Sequence, residues 1–282
     1  MDQSIEQLSQ DLALAGYAKS TCGRYLKTAQ HLRERFGRPI LEITRTELRT
    51  YAEETFACGL SASSVTLVIC ALRFLYRRTL GQPELVSFLC LPKRHKPLAT
   101  VLSLAEVGAL LDALRHPTYR GIAMVMYGTG LRISEALALE VGDIDGARGV
   151  LRVRHGKGNK AREAKLSPAL YQWLRDYWSK LRPPAPYLFA GRRSGKPPCP
   201  QSVRAAVARA AKEAGLRKGV SPHTLRHSFA THLLEEGTDV RVVAALLGHE
   251  SLHSTMHYAR VTEKLVRGAP SPLDLLPQGR RR

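Results

Sequence analysis

Two prolines bracket a basic cluster in the stretch LPKRHKPLAT (Leu91–Thr100). Proline lacks the amide donor that a helix interior or central strand requires, so no regular element runs through this stretch. The charge balance changes at the same place. Residues 1–90 carry 11 basic and 9 acidic side chains, a net +2, whereas residues 91–282 carry 32 and 15, a net +17. A surface loop inside one domain is the blander reading of the prolines; the coincident step in charge favours a linker. The expected organisation is a domain over residues 1–90, a linker over 91–100 and a second domain over 101–282. A chain of 282 residues, 44% hydrophobic and 24% charged, can bury an ordinary core in each.

The total formal charge of +19 concerns partners more than fold. Nucleic acid is the first candidate polyanion and an anionic membrane surface the second. The five cysteines, Cys22, Cys58, Cys70, Cys90 and Cys199, are odd in number, scattered and without a C-x-x-C pair. They argue against a disulfide framework or a cysteine zinc site and for a reducing compartment. The opening MDQSIEQLSQ is acidic and polar, unlike a signal peptide. No apolar run approaches the roughly 20 residues that span a bilayer. Secreted and transmembrane classes are excluded at this level, and a cytoplasmic location is expected.

The first domain reads as helical throughout. Leu8, Leu12 and Leu14 begin one segment, and Tyr25, Leu26, Ala29, Leu32 and Phe36 recur at helical spacing in a second. Thr44 and Glu47 form a capping-box pattern that opens a third segment, closed by Gly59. A fourth runs from Ser61 through VTLVICALRFLYRR to Gly81, apolar on most sides and so central. Four short helices with tight connections make a small bundle.

Beyond the linker the pattern is mixed. Ser103 and Glu106 form a second capping box, starting a helix to about Leu114; apolar helices follow through GIAMVMYGTG and RISEALALE. Two β-type runs, Gly149–His155 and Ala161–Ser167, flank GKGN, a hairpin signal. Helices resume at about Pro168–Lys180, Pro200–Ala214, Pro222–Glu236 and Val240–Leu247, and PYLFA is expected to add an edge strand. The fold class is therefore mainly α: a helical bundle followed by an α+β domain with a small antiparallel sheet.

Four places carry residues suited to chemistry. SPHTLRHSFATHLLEEG puts His223 and Arg226 three apart on one helical face. Taken singly, that pair reads more often as a basic helix face, solvated or lying on phosphate. GTGLRISEALALE puts Arg132 at a helix start after two glycines and Glu135 one turn later; alone, this is more often a structural ion pair. RHGKGNKAR holds Lys157 and Lys160 at an exposed tip, alone a generic phosphate-touching turn. The fourth, LGHESLHSTMHYARV, spells H-E-x-x-H from His249 to His253, the zinc-hydrolase pattern. Against zinc stand Gly248 directly before the motif, which suits a helix end, the lack of apolar periodicity, and no convincing third ligand beyond His257. A zinc hydrolase also has little use for a net +19. No metal site and no cofactor is expected.

Phosphodiester cleavage combines these pieces. It requires charge stabilisation at two non-bridging oxygens, a nucleophile, and a proton for the leaving alkoxide. Two arginines offer forked donors to such oxygens, each preorganised donor contributing roughly 3–4 kcal/mol in the transition state. Tyr258 is a possible covalent nucleophile, and histidines or a lysine can move the protons. The set is spread over residues 132 to 258, and spacing alone does not show that it converges.

The order Arg132, Lys157, His223-x-x-Arg226, His249, Tyr258 resembles the tyrosine recombinase (phage integrase) family, close to its Xer-type bacterial members. The strings are TGLRISEAL, GKGNK, SPHTLRHSFATHLLE, LLGHESLHST and a tyrosine nine residues after His249. The likeness covers residues 100 to 262 strongly and the N-terminal helices, which resemble a core-binding domain, more loosely. It implies that Arg132 and Arg226 clamp the scissile phosphate and that Glu135 orients Arg132. It implies that His223 accepts the tyrosine proton, His249 bonds a non-bridging oxygen and Lys157 protonates the leaving 5′-oxygen. Tyr258 would form a 3′-phosphotyrosyl link that stores the phosphodiester energy without metal or ATP.

The implied partners are double-stranded DNA recombination sites and further copies of the chain, as a tetramer on two sites that exchanges part of Lys264–Arg282. A second recombinase is a further possible partner, and the implied setting is the bacterial nucleoid. A DNA clamp needs a basic face that the nearly neutral first domain does not advertise. Arg24 and Lys27 beside Lys19, or Arg77 and Arg78 beside Arg73, are the candidates, with Lys93 in the linker and Lys160 on the hairpin. The rival class is a DNA-binding protein that does not cleave, and a type IB topoisomerase-like relaxing activity shares the chemistry as a side reaction.

Overall fold

The structure is a computed structural model that describes residues 2–92, 100–154, 161–191 and 194–248. The chain divides into two compact units, Met1–Pro97 and Leu98–Arg282, the division falling inside the proline-bracketed stretch.

The first unit is helical: α1 (Gln3–Leu14), α2 (Lys19–Phe36), α3 (Arg45–Ala57) and α4 (Ala62–Phe74), the last continued by a π-helical turn over Leu75–Thr79. Its caps are those the local sequence calls for. The Thr44–Glu47 capping box forms, and Ser61 accepts from the Ser64 amide at the start of α4. Asp2 caps α1 through Ser4, and its other oxygen accepts from the amide of Ile40 at 3.1 Å, tying the N-terminus to the turn after α2. The core is built from Leu8, Leu12, Leu32, Leu48, Ile69, Leu72 and Tyr76, and α4 packs against α2 and α3. Leu14 does not join it and is 85% exposed. At about 100° per residue, Leu14 lies roughly 200° round the helix from Leu12, on the opposite face.

The second unit opens with α5 (Leu104–Ala113), started by the Ser103–Glu106 capping box, then α6 (Pro117–Thr129) and the short α7 (Ile133–Leu137). A three-stranded antiparallel sheet follows, β1 (Ile144–Asp145), β2 (Val150–Val153) and β3 (Arg162–Lys165), in that order. Leu151 pairs with Ala164, and both are buried, while their neighbours Arg152 and Glu163 face outward. Helices α8 (Pro168–Leu181), α9 (Pro200–Glu213), α10 (Pro222–Glu235) and α11 (Val240–Leu247) complete the unit. Apolar α6 packs against α5, α7, α8, α9 and α10, and its Ile122, Val125 and Met126 are wholly buried.

The expected edge strand at PYLFA is not formed. Tyr187 makes an isolated bridge to Glu140, and the third strand is β1 instead. Pro183, Pro184 and Pro186 cannot donate to a ladder, and among the described residues the run is held by backbone bonds from Val141 to the Pro186 carbonyl and from Leu188 to the Leu139 carbonyl. Leu188 and Phe189 are instead driven into the core, where both are fully buried. The five cysteines are free thiols. Among the described residues no helix is long and apolar enough to cross a membrane.

Candidate functional site

Gly130 ends α6 in the left-handed conformation, φ +68°, and the reversal places Arg132 as the N-cap of α7. From there Arg132 reaches Glu135 twice. Its backbone amide donates to Oε2 at 2.8 Å and its guanidinium Nη1 to Oε1 at 2.7 Å. A carboxylate in the first turn also suits the positive end of a helix. The two residues that spacing singled out are therefore one hydrogen-bonded unit.

Glu135 is buried, its side chain 3% exposed, and Arg132 is not its only partner. Arg162, from β3, donates Nη1 to Oε1 at 2.9 Å and Nη2 to Oε2 at 2.8 Å. Arg226, from α10, brings Nη1 to 3.8 Å from Oε2. Burial alone would push the Glu135 carboxyl up. Hydrogen bonds from Arg162 and the Arg132 amide, with the charges around them, outweigh it and hold the group down at about 2. One carboxylate thus gathers three guanidinium groups.

Arg226 is 4% exposed in its side chain, which overturns the solvated-face reading for that residue. Its guanidinium donates Nη1 to the Gly130 carbonyl and Nη2 to the Leu247 carbonyl at 2.7 Å, so it joins the ends of α6 and α11. One turn earlier on α10, His223 stays exposed at its outer edge. Desolvation and the charges of Arg226, Arg204 and Arg132 lower its pKa, so the imidazole is neutral near pH 7. His227 is lowered by burial and by His223 and Arg226. A neutral imidazole beside a cationic cluster is a proton acceptor next to an anion-binding surface.

The structure therefore brings together Arg132, Glu135, His223 and Arg226. Lys157, Lys160, Lys93, His249 and Tyr258 lie outside the described residues. The chain leads to His249 from α11, whose C-cap Gly248 is left-handed at φ +63°, so the helix closes immediately before the H-E-x-x-H string. Among the described residues no group of three or more His, Cys, Asp or Glu side chains could hold a metal ion.

In the first unit, Arg24 and Lys27 are exposed on α2, three residues apart, and Arg77 and Arg78 are exposed on the π-helical turn. Arg73 is engaged instead, donating to the Leu89 carbonyl. Two residues were not singled out by sequence, Arg162 and Arg204. The signal for Arg162 was present: it shares a strand face with buried Ala164 and Leu166, an inward charge that needs a partner. Arg204 on α9 had no local signal, because its nearness to His223 is tertiary.

Comparison with known proteins decides the family. Residues 100–264 match the phage integrase family, and residues 5–84 match the phage integrase N-terminal SAM-like domain. This chain belongs to the phage integrase family. The integrase-family chain is 39% identical over 277 residues to a putative integrase/recombinase, y4qK, of Sinorhizobium fredii, covering 97% of this chain and 89% of that one. It is 35% identical over 276 residues to the tyrosine recombinase XerA of Pyrococcus furiosus, covering 96% and 94%. The same fold occurs in the Tn1549 transposon integrase solved with a circular intermediate DNA. That likeness has a TM-score of 0.76 at 18% identity and covers 97% of this chain and 99% of that one. The mostly helical architecture with its small antiparallel sheet is thus that of the tyrosine recombinases.

Proposed function

We propose that this chain is a site-specific DNA recombinase that breaks and rejoins duplex DNA through a 3′-phosphotyrosyl intermediate. The observation that carries the reading is the cluster of Arg132, Arg162 and Arg226 around buried Glu135, with neutral His223 one turn from Arg226. Three positive charges against one negative leave the cluster cationic and able to receive a phosphate. Tyr258 Oη attacks the scissile phosphorus while His223 takes its proton. Arg132, Arg226 and His249 meet the charge that grows on the non-bridging oxygens. Lys157 gives a proton to the 5′-oxygen as the phosphorus–oxygen bond breaks. The 5′-hydroxyl of a second strand then attacks the phosphotyrosine in the reverse sense. Bond energy is conserved, and neither a metal nor a nucleotide is needed.

In this reading residues 1–90 form a core-binding domain that grips duplex DNA through Arg24, Lys27, Arg77 and Arg78. Residues 91–100 are the linker, with Lys93 and hairpin Lys160 touching phosphates. Residues 101–282 are the catalytic domain, and part of Lys264–Arg282 is exchanged between protomers of a tetramer on two sites. A second recombinase can occupy half of those positions. The working location is the cytoplasm, on the nucleoid.

The test begins with random-sequence nicked duplexes, from which the protein selects its own substrate by covalent capture under denaturing conditions. A protein-linked 3′ end from the wild-type chain, absent with Tyr258→Phe while DNA binding persists, is the expected result. Binding without any covalent product would leave a non-cleaving DNA-binding protein. An adduct that survives Tyr258→Phe would move the nucleophile elsewhere.

A further inference from the structure

Arg162 supplies the guanidinium of the cluster that comes from the sheet rather than from a helix or its cap. It points inward with a side chain 13% exposed, and lays both terminal nitrogens across both oxygens of Glu135 at 2.9 and 2.8 Å. This fork-on-carboxylate geometry is the strongest and most directional form of the ion pair. The same carboxylate fixes Arg132 through two further bonds and lies 3.8 Å from Arg226. On its other side, the stem of Arg162 lies against the end of α11. A Cβ placed on Gly248 would meet Arg162 Cδ and Nε at 2.9 Å. One side chain therefore reaches from β3 to two other segments: the start of α7 and the residue from which the chain proceeds to His249.

We propose that Arg162 is a positioning residue for DNA cleavage, acting through Glu135 to hold Arg132 and Arg226 in register for the scissile phosphate. The inference rests on the recombinase reading above. Both terminal nitrogens of Arg162 are committed to the Glu135 carboxylate, so whatever Arg162 does for the site passes through that group. Its effect follows from electrostatics. Among the described residues the charged groups facing Glu135 are Arg132 at the start of α7, Arg162 on β3 and Arg226 on α10, with His223 the nearby titratable group. Without Arg162, the buried carboxylate loses the forked pair of bonds and the nearest part of its compensating charge, and burial shifts it toward its protonated form. A neutral Glu135 no longer attracts the guanidinium of Arg132 or that of Arg226, and the phosphate clamp loosens. A displacement of about 1 Å in such a clamp is enough to slow a reaction about 10²-fold.

The experiment uses the full chain and the selected nicked duplex, with single-turnover formation of the covalent adduct followed from about pH 5 to about pH 8. Arg162→Gln should bind the duplex within about twofold of wild type, because no DNA contact is lost, yet form the adduct about 10²-fold more slowly. The deficit should deepen as the pH falls, since Glu135 takes up a proton in this variant. Glu135→Gln and the double variant should match each other and lack that added acid sensitivity, having no carboxyl to titrate. Arg162→Lys keeps the charge but not the fork. It should show a smaller loss of the same pH sense, and it decides the matter if the glutamine variant does not fold. A deficit that is constant with pH, or one that adds fully to that of Glu135→Gln, overturns the inference. Failure of the underlying reading looks different, because the wild-type chain itself would then form no adduct.

Discussion

At the scale of single residues, the site is organised by one acid among bases. Glu135 is the buried carboxylate on which Arg132 and Arg162 converge, and the sign of its linkage is clear. Its folded pKa, about 2, lies below the ordinary carboxylate value. Its contribution to stability is therefore present above the unfolded pKa and is lost as the pH falls through the folded one. The His223 pKa is lowered too, by desolvation and by the charges of Arg226, Arg204 and Arg132, so its linkage has the same sign, but here the form favoured by folding is the neutral one. The leaving-group proton is assigned to Lys157, and this has a sharp test. A substrate with sulfur in place of the bridging 5′-oxygen expels a thiolate that needs no proton. Lys157→Ala should be slowed by about 10²–10⁴-fold on ordinary DNA and largely restored on the sulfur substrate. Arg226→Ala should be slow on both, because its stabilisation of the non-bridging oxygens serves either leaving group. Equal defects of Lys157→Ala on the two substrates would remove it as the acid, and rescue of Lys160→Ala instead would transfer the role. EDTA should leave cleavage by the wild-type protein unchanged, and stoichiometric zinc in the purified chain would revive the H-E-x-x-H reading. The four described members of the expected set were legible because their spacing fits helical turns: Arg132 with Glu135, and His223 with Arg226. Arg162 carried only the signal of strand alternation, which aims it inward but does not name a partner 27 residues away.

At the scale of elements, the caps carry the legible part of the fold. Thr44 with Glu47 and Ser103 with Glu106 mark helix starts in sequence and form those caps in the structure. Short apolar runs are less legible, as PYLFA shows. A short run of consecutive bulky residues suits a strand or a core plug equally, and the prolines in and before it weigh against the strand by removing ladder donors. The end of α11 is the element on which site and fold meet. Gly248 has φ +63° and abuts Arg162, whereas Gly215 has φ +70° with nothing within 4 Å of an added Cβ. Alanine at either position takes a left-handed backbone, at a cost of about 1–2 kcal/mol. Gly215→Ala should therefore lower Tm modestly and leave cleavage at the wild-type rate. Gly248→Ala should lower Tm further and slow adduct formation as well, because the new methyl displaces Arg162 from Glu135. Thermal melts alongside single-turnover rates check both, and equal behaviour of the two variants would show that the contact with Arg162 is inconsequential.

At the scale of the whole molecule, the charge is divided more unevenly than the cores. Each unit buries its own apolar cluster, around Leu72 and Tyr76 in the first and around Met126 and Phe189 in the second. Yet nearly all the excess charge, net +17 of +19, belongs to residues 91–282. Within the first unit much of the basic charge is already matched, Arg35 by Glu54, Arg38 by Glu47 and Arg49 by Glu53. The exposed cations without an ion-pair partner among the described residues include Arg24, Lys27, Arg77 and Arg78, of which Arg78 also lies over the Phe74 ring at 5.8 Å. If the first unit grips DNA, it does so through few contacts, and the logarithm of the binding constant counts them. For duplex DNA it falls with the logarithm of salt concentration at a slope of about −0.9 per phosphate neutralised. The full chain should show a steep slope, and a fragment of residues 98–282 should keep weaker, still strongly salt-dependent binding. Replacing Arg24 and Lys27 together by alanine should make the full-chain slope shallower by about 2, and replacing Arg77 and Arg78 should do the same, if each residue holds one phosphate. A slope unchanged by both double substitutions would place the DNA contacts of the first unit elsewhere. Tighter binding by residues 1–97 alone than by the fragment would reverse the allocation of affinity made from charge.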